Sequence, residues 1–280
     1  MRRTQKLPIF VLTLALGSVA TVAGAAQTQR RTLVVCADPN NLPFSNRSGQ
    51  GFENKLAELL ARDMRAHVEY VWWAQRRGYV RSTLNEARCD LWPGVATGVD
   101  MVSTTHPYYR STYVFVTRRA RHLTGLSLDD PRLKRLSIGV QMIGNDATNT
   151  PPAQALALRG ITDNVHGYML YGNYAQANPA AAIVRAVEQG DIEVALVWGP
   201  LAGYFGSRSR VPLRLEPVDP SSPRLPMSYD ISVGVRRGNA ALRDTIDQIL
   251  ERERPRIDAL LRAYHIPQAP AGWSVAERGG

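Results

Sequence analysis

The chain has 280 residues, 44% of them hydrophobic and 21% charged. That is too apolar for a disordered tail and too polar for a membrane-embedded protein. It is also long for a single core, so two lobes of about 100–150 residues are expected. Two cysteines, Cys36 and Cys89, exclude a disulfide-dense miniprotein and any Cys-rich metal site.

Residues 1–26 read as a secretory signal. Arg2, Arg3 and Lys6 form a positive start, an apolar run follows from Ile9 to Ala23, and Ala23-Gly24-Ala25 fits a small-residue cleavage site. The alternative is an uncleaved anchor. The run is short for a span and is diluted by Thr13, Gly17, Ser18 and Thr21, which favours the signal. The sequence thus predicts an exported, periplasmic protein. Cleavage removes three basic residues and lowers the net charge from +10 to +7. Arginine supplies nearly all of it in a scattered pattern, which argues against a nucleic-acid partner and leaves only weak steering of acidic proteins.

The mature chain opens with a buried-strand pattern, Thr32–Ala37, ended by the breaker cluster Asp38–Pro43. Phe52, Leu56, Leu59, Leu60 and Met64 then recur at helical spacing. A strand over Val68–Trp73, a helix over Arg81–Ala87 and a strand over Asp90–Val95 follow. Such alternation predicts a parallel sheet with helices on both faces, with ligands bound where loops leave the carboxyl ends of the strands. Tyr113–Val116 is a further strand, and the loop-like Arg118–Pro131 separates it from a second series. That series holds a strand at Ser137–Val140 and a helix capped by Thr150 and begun by Pro151. A helix at Ala181–Gln189, closed by Gly190, and a strand at Glu193–Trp198 complete it. A Pro-rich linker leads to a strand over Ile231–Val235. The final helix carries Leu242, Ile246, Ile249 and Leu250 on one face and is interrupted at Pro255.

Chain crossings near Tyr113–Arg119 and Tyr229–Val235 make this a two-lobed α/β protein with two hinge crossovers and a cleft between lobes. The expected division is 30–116 plus 229–270 for lobe 1 and 117–228 for lobe 2, with a flexible tail at 271–280. Cys36 falls late in the first strand and Cys89 at the start of the third, strands expected to lie parallel and adjacent with an offset of three or four residues between the two cysteines. At about 3.3 Å per residue that separates them by about 10 Å, beyond the roughly 7 Å a disulfide tolerates, so two free buried thiols are expected.

Catalytic signatures are absent: there is no G-x-S-x-G elbow, no H-E-x-x-H, no C-x-x-C and no phosphate-binding loop. The five histidines have no ligand-like spacing. No catalytic residue, metal or cofactor is assigned, and the protein is expected not to be an enzyme. The candidates are instead aromatics and amides at strand ends. Asn40, Asn41 and Phe44 follow the first strand; Trp73, Gln75, Arg76 and Arg77 follow the second; Tyr108 and Tyr109 precede the crossover. In the second lobe, Asn145, Thr150, Trp198 and Tyr204 complete the set. For Trp73, Tyr109 and Trp198, core packing and cleft lining weigh equally, whereas Trp92 and Phe115 read as packing.

Several motifs occur in order: Cys36–Asn46, Gly51–Asn54, Trp72-Trp73-x-Gln75-Arg76-Arg77-Gly78, Pro107–Phe115, Asn149–Ala153 and Val197–Tyr204. Together they resemble the quinoprotein-dehydrogenase-associated branch of the family 3 extracellular solute-binding proteins, the MoxJ/XoxJ group. The resemblance spans the mature chain and implies a type II periplasmic-binding-protein fold. It also implies a partner: a methanol dehydrogenase dependent on pyrroloquinoline quinone (PQQ), with its cytochrome c a further candidate. Amino-acid-binding relatives carry an Arg after the third strand that clamps the ligand carboxylate, but Ala96–Met101 has none here. Where those relatives place an acidic residue for the ligand ammonium, this sequence aligns Trp198. A ligand carboxylate left without its partner would cost about 3–5 kcal/mol, so a free amino acid is disfavoured.

Two functions remain. The first is a non-enzymatic accessory protein that binds the dehydrogenase, or a segment of it, at an aromatic apolar cleft during maturation or activation. The second is the receptor of an ABC importer, working with its permease, for an aromatic or heterocyclic small molecule, the quinone cofactor included. In that case Arg76, Arg77 and the helix start at Thr150 would hold carboxylates. An enzyme on the same scaffold ranks last, because the transglycosylase-type Glu-Ser pair is absent.

Overall fold

The computed structural model describes residues 31–143, 149–169, 174–218 and 225–269. The expected signal, residues 1–26, the tail at 271–280 and Asn145 lie outside the described residues. No helix among the described residues is long and apolar enough to cross a membrane.

Lobe 1 is built on β1 (Arg31–Ala37), followed by the short pair β2 (Asn40–Asn41) and β3 (Ser45–Asn46), then α1 (Phe52–Asp63) and β4 (Ala66–Trp72). A one-turn α2 (Tyr79–Ser82) leads to β5 (Leu91–Ala96) and β6 (Ser103–Thr104). β1 pairs in parallel with β4 on one side and β5 on the other. The apolar stripe of α1 produces its docking: Phe52, Leu56 and Leu60 are fully buried against Leu33, Val35 and Leu91 of the sheet. At the start of α1, Asn54 Oδ1 accepts from the N–H of Gly51 and of Asn46, tying the helix entry to β3. A Cβ on Gly51 would collide with the Phe44 carbonyl, so this close approach requires glycine.

β7 (Tyr109–Arg118) is the crossing strand. Its first half pairs antiparallel with β12 (Ser228–Val235) and its second half with lobe-2 strands, the change of partner falling at Thr112/Tyr113. Lobe 2 then supplies β8 (Ile138–Met142), α3 (Pro151–Ala157), β9 (Val165–Met169), α4 (Ala182–Gln189), β10 (Val194–Trp198), α5 (Gly199–Gly206) and β11 (Leu213–Pro217). β12 returns to lobe 1, where α6 (Ala240–Arg252) and α7 (Arg254–Ala263) close the fold, the break between them lying just before Pro255. The strand order β4-β1-β5-β12-β7-β10-β8-β9 places the two crossing strands side by side at the centre. Arg110 of β7 donates to Asp230 of β12 at 2.8 Å across this pair. Each lobe buries apolar side chains on both faces of its part of the sheet. This is the two-lobed type II architecture.

Three local expectations differ from what is observed. The helix expected over Arg81–Ala87 is only the single turn of α2, followed by turns in which Ala87 takes a positive φ of 56°. The edge strands β9 and β11 went unforeseen, because their half-exposed sequences lack an apolar run. The cysteines are not free: Cys36 and Cys89 form a disulfide with their Cα atoms 5.6 Å apart. The strand-rise estimate failed because Cys89 precedes β5. The turns after α2 carry it over the face of β1 on which Cys36 points, among Tyr79, Val80 and Leu84.

Candidate functional site

The loops after β1 and β4 and the carboxyl ends of β8 and β10 meet the crossing strands around a cavity of about 250 Å³. Lobe 1 supplies Asn41 and Phe44 from the loop after β1, Gln75 from the loop after β4, and Ile231 and Tyr229 from β12. Lobe 2 supplies Gln141 from β8, Trp198 from the end of β10 and Leu201 from α5, while Tyr113 stands where β7 changes partner. No Arg, Lys, His, Asp or Glu is among these residues.

Trp198 is the hub of this wall. It packs edge-on against Tyr113 at 5.2 Å and Tyr229 at 5.9 Å between ring centroids, and it touches the cores of both lobes. Its backbone N–H donates to Gln141 Oε1 at 2.8 Å, fixing a buried amide at the lobe-2 wall. On the facing wall Asn41 Nδ2 donates to Gln75 Oε1 at 3.1 Å. Trp198 is followed at once by Gly199 and Pro200, which start α5. A Cβ on Gly203 one turn further along would strike the His265 carbonyl, so α5 lies hard against the chain after α7.

The lobes are also clasped beside the cavity. Asp38 is fully buried; its Oδ1 accepts from Asn40 N–H and its Oδ2 from Gln75 N–H, each at 2.9 Å. The Tyr174 hydroxyl of lobe 2 donates to the same Oδ2. Asn40 Nδ2 donates to the Gln176 carbonyl at 2.9 Å, and the Arg76 guanidinium lies over the Tyr174 ring at 5.3 Å. Beneath this loop Glu53 is buried, with its carboxyl group against Gly94. Burial, then the negative charge of Asp38, pushes its pKa from 4.5 up to about 8. The same desolvation, reinforced by Glu53, raises Tyr108 and Tyr109 well above the ordinary phenol range.

Of the residues singled out in the sequence, Asn41, Phe44, Gln75 and Trp198 come together at the cavity, and Asn40 and Arg76 reach the clasp beside it. The others stand elsewhere. Tyr108 and Tyr109 are buried in the lobe-1 core, where Tyr109 meets Phe52 edge-on. Trp73 is exposed under the Arg88 guanidinium, and Arg77 is exposed. Thr150 is buried and donates to the Gln141 carbonyl at 2.6 Å, supporting the strand end. Tyr204 stacks on Tyr264 with Arg208 over its ring, facing α7. Sequence reasoning missed Tyr113, Gln141, Leu201, Tyr229 and Ile231. Tyr113 and Tyr229 carried a usable signal, since both lie on the crossing strands that must flank any cleft between lobes.

Five large apolar side chains are exposed among the described residues: Trp73, Met101, Ile143, Leu158 and Met169. All but Leu158 lie at, or within about five residues beyond, the carboxyl ends of β4, β5, β8 and β9.

No protein-family model matches the chain. Among curated proteins it is 32% identical to Protein MoxJ of Methylorubrum extorquens over 300 aligned residues, covering 96% of this chain and 97% of the relative. It is 31% identical to Protein MoxJ of Paracoccus denitrificans, covering 89% and 94%. The chain belongs to the MoxJ family. Its fold matches the crystal structure of the periplasmic binding protein XoxJ from Methylobacterium extorquens AM1 with a TM-score of 0.69 at 35% identity. That match covers 85% of this chain and 99% of XoxJ. As a MoxJ-family member it has the periplasmic-binding-protein architecture, and among the described residues lining its cavity there is neither of the charges an amino-acid ligand would need.

Proposed function

We propose that this MoxJ-family protein is exported to the periplasm by residues 1–26 and serves there as a non-enzymatic accessory of a PQQ-dependent methanol dehydrogenase. It holds an exposed segment of that enzyme at the cleft. The lobes divide as 30–116 plus 229–270 and 117–228. The observation that carries the reading is the aromatic cavity, whose described lining is uncharged; Trp73, Met101, Ile143 and Met169 add exposed apolar surface at or beyond carboxyl ends of the sheet strands. A polypeptide partner can cover both the cavity and such exposed apolar side chains, whereas a small solute leaves the latter wet. Family membership supplies the partner class.

Direct titration of the purified mature chain with apo- and holo-dehydrogenase tests this. A complex forms at tens of micromolar or below. Trp198→Ala weakens it by about thirtyfold, the roughly 2 kcal/mol of a buried tryptophan anchor. Absence of any complex with either form overturns the reading.

The importer-receptor reading keeps one observation in its favour, the clasp of Tyr174 and Gln176 onto Asp38 and Asn40, since closure over a solute needs contacts between lobes. The quinone cofactor is a poor fit for it. PQQ carries several carboxylates, and the described residues lining the cavity offer them no cation.

A further inference from the structure

We propose that the cavity between the lobes takes an uncharged aromatic group of phenol or indole type and excludes carboxylates and amines. The inference rests on the cleft being the binding site and goes on to name the chemistry it accepts. Trp198, Tyr113 and Tyr229 present ring faces and edges at fixed angles, with 61° and 67° between planes. A flat ring is the shape that meets such walls with offset and edge contacts. Besides the phenols of Tyr113 and Tyr229, the polar groups are amides whose orientation is set by bonds within the protein. Gln141 spends Oε1 on the Trp198 N–H, which leaves Nε2 as a donor. Asn41 spends Nδ2 on Gln75, which leaves Oδ1 as an acceptor. Such a donor and acceptor match a hydroxyl or a ring N–H, and neither carries a formal charge to offset that of an ion.

Among the described residues, the charges of the clasp beside the cavity already have partners. Asp38 accepts from two backbone N–H groups and from Tyr174, and Arg76 lies over the Tyr174 ring outside the cavity. A charged ligand entering about 250 Å³ would therefore lose its hydration without gaining a counter-charge. An aromatic side chain of a partner segment and a free phenolic solute share this chemistry.

Calorimetric titration of the mature protein with p-cresol, 4-hydroxyphenylacetate and tyramine tests it, since the three share one ring and differ in charge. The expected result is saturable p-cresol binding near about 1 mM or tighter, at least about tenfold stronger than either charged analogue. Leu201→Phe, which narrows the cavity, weakens it further. A charged analogue that binds as well as p-cresol overturns the inference. So does the absence of p-cresol binding, or affinity unchanged in Leu201→Phe. Repeating the dehydrogenase titration in saturating p-cresol separates the two sources: competition assigns the ring to the partner, and its absence to a free solute. A dehydrogenase complex with no p-cresol binding refutes this inference alone; p-cresol binding with no dehydrogenase complex refutes the accessory reading alone.

Discussion

Replacing Cys36 and Cys89 together by alanine lowers the stability of lobe 1 by about 4 kcal/mol. The bond joins residues 53 apart in sequence, and closing a loop of that length removes about 4 kcal/mol of chain entropy from the unfolded state. The folded state adds a second reason. Both cysteines are buried with Tyr79, Val80 and Leu84, and between α2 and β5 the chain runs through turns with little regular structure of its own. Without the bond, this segment is held to β1 mainly by the Asp90 N–H on the Val34 carbonyl and by Asp90 Oδ2, which accepts from Val34 N–H. Scanning calorimetry of the wild type and the double variant checks the effect, with a midpoint lower by roughly 10 °C expected. Thiol labelling of the denatured, unreduced wild type finds none. Two labelled thiols, or an unchanged midpoint, would contradict the assignment.

Glu53 produces the second large effect, and it depends on pH. Its folded-state pKa of about 8 lies above the unfolded value of 4.5 because burial, and then Asp38, disfavours the ion. Between those values the unfolded chain releases the proton while the folded chain keeps it. Stability is therefore full below about pH 4.5, falls as pH rises toward 8, and levels off above. The loss is on the order of a few kcal/mol across the window. Glu53→Gln keeps the shape and cannot ionise, so its stability does not carry this slope. Urea unfolding of both proteins at pH 5 and pH 8 isolates the contribution, since every other titrating group is common to the two. The wild type loses several kcal/mol more than Glu53→Gln on going to pH 8; equal losses would show that Glu53 ionises freely.

How far the fold was legible follows from how each element signals itself. The apolar stripe of α1 and the runs of β1, β5 and β10 mark themselves because one face or both faces are buried. The doubled strand–helix series led to two lobes. β9 and β11 gave no signal, because an edge strand needs only half its side chains inside. The disulfide was missed because spacing along a strand says nothing about a residue in the turn before it. At the site, Asn41, Phe44, Gln75 and Trp198 were found through the rule that ligands sit at carboxyl strand ends. That same rule swept in Tyr108 and Tyr109, which bury inward, and Trp73, which turns out to solvent. Gln141 was invisible for a different reason. An amide closing an apolar strand is noticed only once its partner, the Trp198 N–H 57 residues away in sequence, is known.

Hydrogen–deuterium exchange of the mature protein with and without saturating dehydrogenase tests the central claim most directly. The account predicts slowed exchange in the loops at Asn40–Phe44 and Ala74–Arg76 and in the segment from Trp198 into α5, with α6 and the outer face of α4 unchanged. Protection confined to those outer helices, with the cleft loops exchanging as in the free protein, would contradict it.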